Sequence, residues 1–387
     1  MFRDLDDDLS EIRAGVAAIC ARFDDEYWLA RDTDGEFPGD FCRALAEAGW
    51  LGLTMPEEYG GSGLGVREAA VMMNEIARCG AMSAASAVHI NMFGPHPIVV
   101  FGTETQKAEW LPPIIEGRHR VSFGVTEPDA GLDTSSIKTF ARKVEGGYRI
   151  DGRKIWNSTA SVADRIMLLV RTTKREDVER HTDGLTLFYT EFDRARIEVR
   201  RIEKMGRKAV DSNMLFIDDL FVPDGDLIGE EGQGFRYILH SMNPERILIG
   251  AEGVGIGQSA LRRAAEYAGS REVFGRPIGM NQGIQHPLAE NWMELEAAWL
   301  MAMRAADLFD AGESCGAEAN AAKFLGSRAG YNAAQTAVLT HGGMGYAREY
   351  HVERLFRESL ITRIVPVSEQ LISSFIAERV LGLPKSY

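Results

Sequence analysis

A chain of 387 residues is too long for one simple core and calls for two or three domains. Its 45% apolar and 26% charged residues are ordinary for a globular protein. The net charge of −14, with no basic tract to offset it, argues against a nucleic-acid or anionic-membrane partner, while local arginines leave an anionic small substrate open.

The start of the chain, Asp4-Leu-Asp-Asp-Asp8, resembles neither a signal nor a transit peptide. No apolar run approaches the ~20 residues that a membrane span needs, so no span is expected. Cys20, Cys42, Cys79 and Cys315 lie far apart without metal spacing and read as free thiols of a reducing, cytoplasmic setting.

From Leu5 to about His119 apolar residues recur three and four apart, as in Phe41, Leu45 and Ala48, which predicts an α-helical domain over 1–119. From Val121 to Pro223 the pattern turns to β-rich runs, Ile166 to Val170, Leu185 to Tyr189 and Met214 to Ile217, giving a β domain over 120–226. Phe140, Arg142, Val144, Tyr148 and Ile150 alternate around Gly146-Gly147, which reads as a hairpin. Lys174 to Asp183 is a charged loop. Beyond Gly229 long alanine-rich helices return, giving a helical domain over 227–387. No G-x-G-x-x-G follows a strand convincingly, which disfavours a nicotinamide dehydrogenase. The run Gly250 to Gly257 suits close helix packing, and the eight histidines, His89 among them, show no metal spacing and read as structural.

Two segments carry the chemistry. Phe123-Gly-Val-Thr-Glu-Pro-Asp-Ala-Gly131 is a polar turn-forming loop, and Gly152-Arg-Lys-Ile-Trp-Asn-Ser158 ends a strand with a large flat ring beside two hydrogen-bonding side chains. Together they suit a planar, polar-edged ring such as a flavin; alone, Trp156 reads first as a core aromatic at a strand end, and its partner loop reverses that reading. With Trp50 to Gly61, Leu227 to Phe235, Arg271 to Ile278 and His341 to Tyr346, these segments resemble the acyl-CoA dehydrogenase family over nearly the whole chain.

That resemblance implies an α+β fold: an N-terminal helical domain, a middle β-barrel-like domain and a C-terminal four-helix bundle, assembled as a homotetramer. It implies FAD as cofactor, an acyl-CoA substrate, and an electron-transferring flavoprotein as electron acceptor. Val125 and Thr126 match residues on the pyrimidine edge of the isoalloxazine, and Trp156 and Ser158 match those flanking N5. Arg271 and Phe274 match residues that reach the adenosine diphosphate of FAD on a neighbouring subunit, with Gln282 and Gly343 near the same place. Ser368 and Gln370 match positions near the adenosine. Leu132 stands where the family usually has a serine that contacts the pyrophosphate.

The implied reaction is α,β-dehydrogenation to a 2-enoyl-CoA: a carboxylate takes the α-proton while flavin N5 takes the β-hydride. Such a base must be desolvated so that its pKa rises to about 6–7. The family's usual glutamate position is occupied here by Pro366, which has neither a carboxylate nor a backbone N–H to polarise the thioester. A minority of members, like isovaleryl-CoA dehydrogenase, place the base on an earlier helix directly before an arginine. Glu245 matches that base and Arg246 its substrate-binding neighbour; the competing reading makes Glu245 a first-turn helix acid behind an Asn243 cap. Pro366 and Leu132 also leave a second function open: a same-fold flavin oxygenase, desulfinase or carrier-protein-thioester dehydrogenase.

Overall fold

The computed structural model describes Met1 and residues 9–386; Leu5 and the acidic run from Asp4 to Asp8 lie outside the described residues. The first six helices are α1 (Ser10–Cys20), α2 (Asp25–Asp34), α3 (Gly39–Glu47), α4 (Val66–Phe93), α5 (His96–Phe101) and α6 (Glu104–Ile115). Their ends follow local chemistry. The Asp24 carboxylate accepts the Tyr27 N–H at 3.0 Å to start α2, and Thr103 and Gln106 form a reciprocal cap at the start of α6. The Gln106 amide also donates to the carbonyls of Gly225 and Leu227 at 2.9 and 2.7 Å, fastening the helical layer to the chain that leaves the sheet.

The middle region is one curled seven-stranded sheet: β1 (Val121–Gly124), β2 (Phe140–Val144), β3 (Gly147–Ser158), β4 (Arg165–Arg171), β5 (Leu185–Glu191), β6 (Ile197–Arg201) and β7 (Ser212–Pro223). The order runs β1-β4-β2-β3-β7-β6, with β5 also paired to β4. The expected hairpin is β2–β3, closed through Val144 opposite Gly147. The long β3 and β7 pair antiparallel, with register shifts at Ile150/Gly152 and Ile155/Asn157. The second shift fixes how Trp156 is presented.

The chain then enters α7 (Gly234–Ser270), a short β8 (Glu272–Val273) to β9 (Arg276–Pro277) hairpin, α8 (Gln282–Asp310), α9 (Gly316–His341), α10 (Val352–Ile364) and α11 (Glu369–Arg379). Helices α7 to α10 form the bundle, and α4 packs into the same core. The glycine run expected to allow close packing does so: a Cβ on Gly253 would meet the Gly326 carbonyl oxygen at 2.7 Å. One on Gly255 would meet the Asn74 carbonyl oxygen at 2.3 Å, so α9 and α4 lie backbone-close on two sides of α7. The stretch Val352–Arg379 has the length and composition of a membrane span. It is, however, two helices of 13 and 11 residues broken around Pro366, with the Arg363–Glu369 ion pair inside it.

Helix α4 is broken at Ala81, whose φ of 56° and ψ of −147° are non-helical. A left-handed alanine of this kind costs of order 1–3 kcal/mol and persists only where its surroundings hold it. Two residues of α10 do that. The buried Glu358 carboxylate accepts the Ser83 N–H at 2.8 Å and the Ser83 hydroxyl at 2.6 Å, capping the second half of the helix. Arg354, also buried, donates to the Gly80 carbonyl at 3.1 Å, closing the first half. The direction of the second half, which carries His89, is set by this clamp.

Candidate functional site

The loop after β1 is fastened to the far end of β3. Thr126 accepts the Ile155 N–H on its carbonyl at 2.9 Å, and the Asn157 amide donates to the Phe123 carbonyl at 2.9 Å. Between them Lys154, fully buried, donates to the Val125 carbonyl at 3.0 Å and pairs with Glu127 at 2.9 Å. Glu127 in turn accepts the N–H groups of Lys138 and Thr139 at 2.6 and 2.9 Å. Burial pushes the Glu127 carboxyl up, but the Lys154 ammonium and these donors hold it below its ordinary value. Burial also lowers Lys154 to about 8.

Upon this frame sits Trp156. It occupies the bulge, has φ 63°, and is 57% exposed, which removes the core-aromatic reading. Val125 and Thr126 are half-buried beside it, and the Ser158 hydroxyl accepts from Arg207 at 3.1 Å. An exposed indole face, a rigid loop and an oriented hydroxyl make a surface suited to a flat, polar-edged ring.

Glu245 lies inside α7, which continues without a break from Gly234 through Pro244; it is therefore not a first-turn acid, and Asn243 caps nothing there. Instead the Asn243 side chain accepts from Arg246 at 3.0 Å, and Arg246 Nε has no partner among the described residues. Glu245 is buried and its Oε2 is unpartnered among the described residues. Burial raises its pKa to about 7, with Glu252 adding to the rise and His89 and Arg246 opposing it. Glu369, the acid nearest Pro366, is the contrast. Arg363 and Arg328 grip it at 2.6 to 3.2 Å, and the Arg363 hydrogen bond foremost holds it below the ordinary range. A carboxylate so held cannot take a proton easily. Glu245 can.

The remaining expected residues fall into two separated groups. Arg271 ends α7, Phe274 is wholly exposed at the tip of the β8–β9 hairpin with φ 53°, and Gln282 opens α8. Gly343 follows the end of α9, where His341 stacks on Tyr267 at 4.2 Å, one turn before Arg271. Ser368 and Gln370 start α11, with the Ser368 hydroxyl used to cap the helix by accepting the Leu371 N–H at 3.2 Å. Glu369 between them is tied to Arg328, thirteen residues before the end of α9, or about 20 Å along a helix rising 1.5 Å per residue. One chain thus holds the two groups apart.

Sequence reasoning missed several residues. Lys154 and Glu127 were legible in principle: a lysine on the inward register of a strand, and an acid within the singled-out loop. His89 and Glu252 were not. His89 lies on α4, and Glu252 sits inside the small-residue run that was read for packing alone; the structure joins them at 2.6 Å.

Comparison with known proteins gives three family matches: the acyl-CoA dehydrogenase N-terminal domain over residues 6–118, the middle domain over 122–220 and the C-terminal domain over 232–381. The chain is 34% identical to the acyl-CoA dehydrogenase fadE12 of Mycobacterium bovis over 97% of this chain and 96% of that one. It is 30% identical to the caffeyl-CoA reductase-Etf complex subunit CarC of Acetobacterium woodii, covering 90% of this chain and 92% of that one. Among solved structures it superposes on a glutaryl-CoA dehydrogenase bound to glutaryl-CoA with a TM-score of 0.93 and 30% identity, covering 100% and 98% of the two chains. It superposes on the prolyl acyl carrier protein oxidase AnaB with a TM-score of 0.92 and 27% identity, covering 98% and 100%.

The Lys154–Glu127 pair yields a direct test of the frame. Lys154→Met leaves a buried carboxylate without its cation and should cost about 3–5 kcal/mol, whereas Lys154→Met/Glu127→Leu should recover much of that loss. Urea unfolding of both variants measures it; a single variant as stable as the parent contradicts the assigned role.

Proposed function

The chain belongs to the acyl-CoA dehydrogenase family, a family of FAD oxidoreductases, and from that premise we propose that it oxidises the α,β bond of an acyl-CoA thioester with Glu245 as the base. The single observation carrying this reading is the Glu245 carboxyl: buried, unpartnered at Oε2 and raised to about 7. A general base works best when its pKa lies near the operating pH, and no partner has to be broken before this one accepts a proton. The α-proton passes to Glu245, the β-hydrogen leaves with its electron pair, and the C–C double bond forms. Arg246, held by Asn243 and with Nε unpartnered among the described residues, is the proposed substrate contact beside it.

The residues present fit FAD. The exposed face of Trp156, with Val125, Thr126 and Ser158, would hold the isoalloxazine. Arg271, Phe274, Gln282 and Gly343 of one subunit, with Ser368 and Gln370 of another, would hold the adenosine diphosphate. FAD, when bound, supplies the hydride acceptor. An arginine suits the pyrophosphate because its planar fork donates paired hydrogen bonds. The two groups, held apart in one chain, support an assembly of at least two subunits, and we assign a homotetramer. We assign an electron-transferring flavoprotein as the acceptor, in line with the Etf-complex subunit among the relatives.

Pro366 favours a second reading. Its missing N–H removes an oxyanion-type donor worth about 3 kcal/mol in a thioester enolisation, and the carrier-protein oxidase among the structural neighbours has the same fold. An anaerobic flavin-bleaching screen over acyl-CoAs and carrier-protein thioesters separates the two. Bleaching by acyl-CoA supports the dehydrogenase; bleaching by the carrier-bound thioester alone supports the rival.

Glu245→Gln keeps shape but accepts no proton, so flavin reduction should slow by about 10²- to 10⁴-fold while FAD and acyl-CoA still bind. In the parent the base acts when ionised: the rate should be full above pH 7 and fall as pH drops through that value. A variant that reduces flavin normally, or a rate flat between pH 6 and 8, removes Glu245 from the mechanism.

Arg271→Ala should purify depleted of flavin, because the adenosine diphosphate end loses its paired donor. Absorbance of the bound flavin per chain measures this. Full occupancy counts against the shared site.

A further inference from the structure

Seven residues beyond Glu245, two turns along α7 and on nearly the same face, lies Glu252, wholly buried. His89, on the second half of α4, donates from Nδ1 to Glu252 Oε1 at 2.6 Å. His89 Nε2 and Glu252 Oε2 have no partner among the described residues, and both side chains are more than nine-tenths buried. An unpaired polar atom at such depth is costly, so each of the two is a place for a hydrogen-bonding partner.

The pair adjoins the reaction centre. The His89 charge acts on Glu245, and the charge of Arg207, whose guanidinium holds the Ser158 hydroxyl, acts on both His89 and Glu252. Phe93, one turn after His89, packs on its ring at 4.9 Å and on Phe123 at 5.2 Å, so apolar rings adjoin the polar pair. A plain hydrocarbon chain entering past Glu245 would leave both free atoms dry.

We infer that the acyl chain of the substrate carries an uncharged hydrogen-bonding group, a hydroxyl, that reaches the His89–Glu252 pair. This rests on the dehydrogenase reading and names its substrate class. A hydroxyl suits either free atom, because it accepts from an imidazole N–H and donates to a carboxylate oxygen. Glu252 lifts His89 above its ordinary pKa against the pull of burial, which favours the N–H form at Nε2. Charge argues for a neutral group. His89 and Glu252 already pair a base with an acid, so a charged tail would add one unpaired buried charge and a neutral one adds none.

The test compares acyl-CoAs matched in length that end in a methyl, a hydroxyl or a carboxylate, at several lengths. Flavin reduction by the holoenzyme is measured, and binding to FAD-loaded Glu245→Gln is followed by calorimetry. At the best length the hydroxyl compound should exceed the methyl compound by about 100-fold or more in kcat/KM and in affinity. His89→Leu/Glu252→Leu, which replaces the pair by apolar side chains together, should reverse the preference. Where that variant fails to fold, His89→Gln/Glu252→Gln should reduce it. Equal use of methyl and hydroxyl compounds at every length, or preference for the carboxylate, overturns the inference. Bleaching by none of them overturns the dehydrogenase reading instead, and the calorimetric preference then decides the inference by itself.

Discussion

An unpaired carboxyl in a dry interior is the constraint on which the arrangement turns. Glu245 has no partner at Oε2 among the described residues, so desolvation outweighs the opposing charges of His89 and Arg246 and lifts its pKa to about 7. Keeping it dry requires that α7 run uninterrupted past Pro244 and that its neighbours approach closely. The glycines facing α9 and α4 provide the second condition. The same acid on a frayed first turn would be solvated and ionised.

The strain in α4 belongs to the same account. Its break at Ala81 redirects the half that carries His89 toward α7, and the Glu358 and Arg354 clamp from α10 holds that direction. Three helices distant in sequence thereby fix one small volume: α7 supplies Glu245 and Glu252, α4 supplies His89, and α10 holds α4 in place. On the sheet side, the buried Lys154–Glu127 pair and the bulge at Trp156 do the corresponding work, keeping a loop rigid and turning an aromatic face outward.

Where local pattern decides an outcome, the chain was readable. The change from helical to strand period at Val121 and back after Pro223 coincides with β1 and β7, and the Gly146 turn closes the expected hairpin. The glycine run in α7 was read for what it does. The exposure of Trp156 was not decidable locally, because a strand-end aromatic is core or surface according to a bulge that only β7 pairing creates. Glu245 stood out only through likeness to a family; its surroundings in sequence suggested a helix start. His89 and Glu252 were out of reach, since a contact across 163 residues leaves no periodic mark in either segment.

The central claim is that Glu245 stays protonated up to neutral pH in the resting protein. Infrared difference spectra between the FAD-loaded parent and Glu245→Gln, recorded across pH, isolate the carbonyl stretch of that one protonated carboxyl. The account predicts a band that disappears with a midpoint near pH 7. A band already lost by about pH 5, as for an ordinary glutamate of pKa ~4.3, would contradict it.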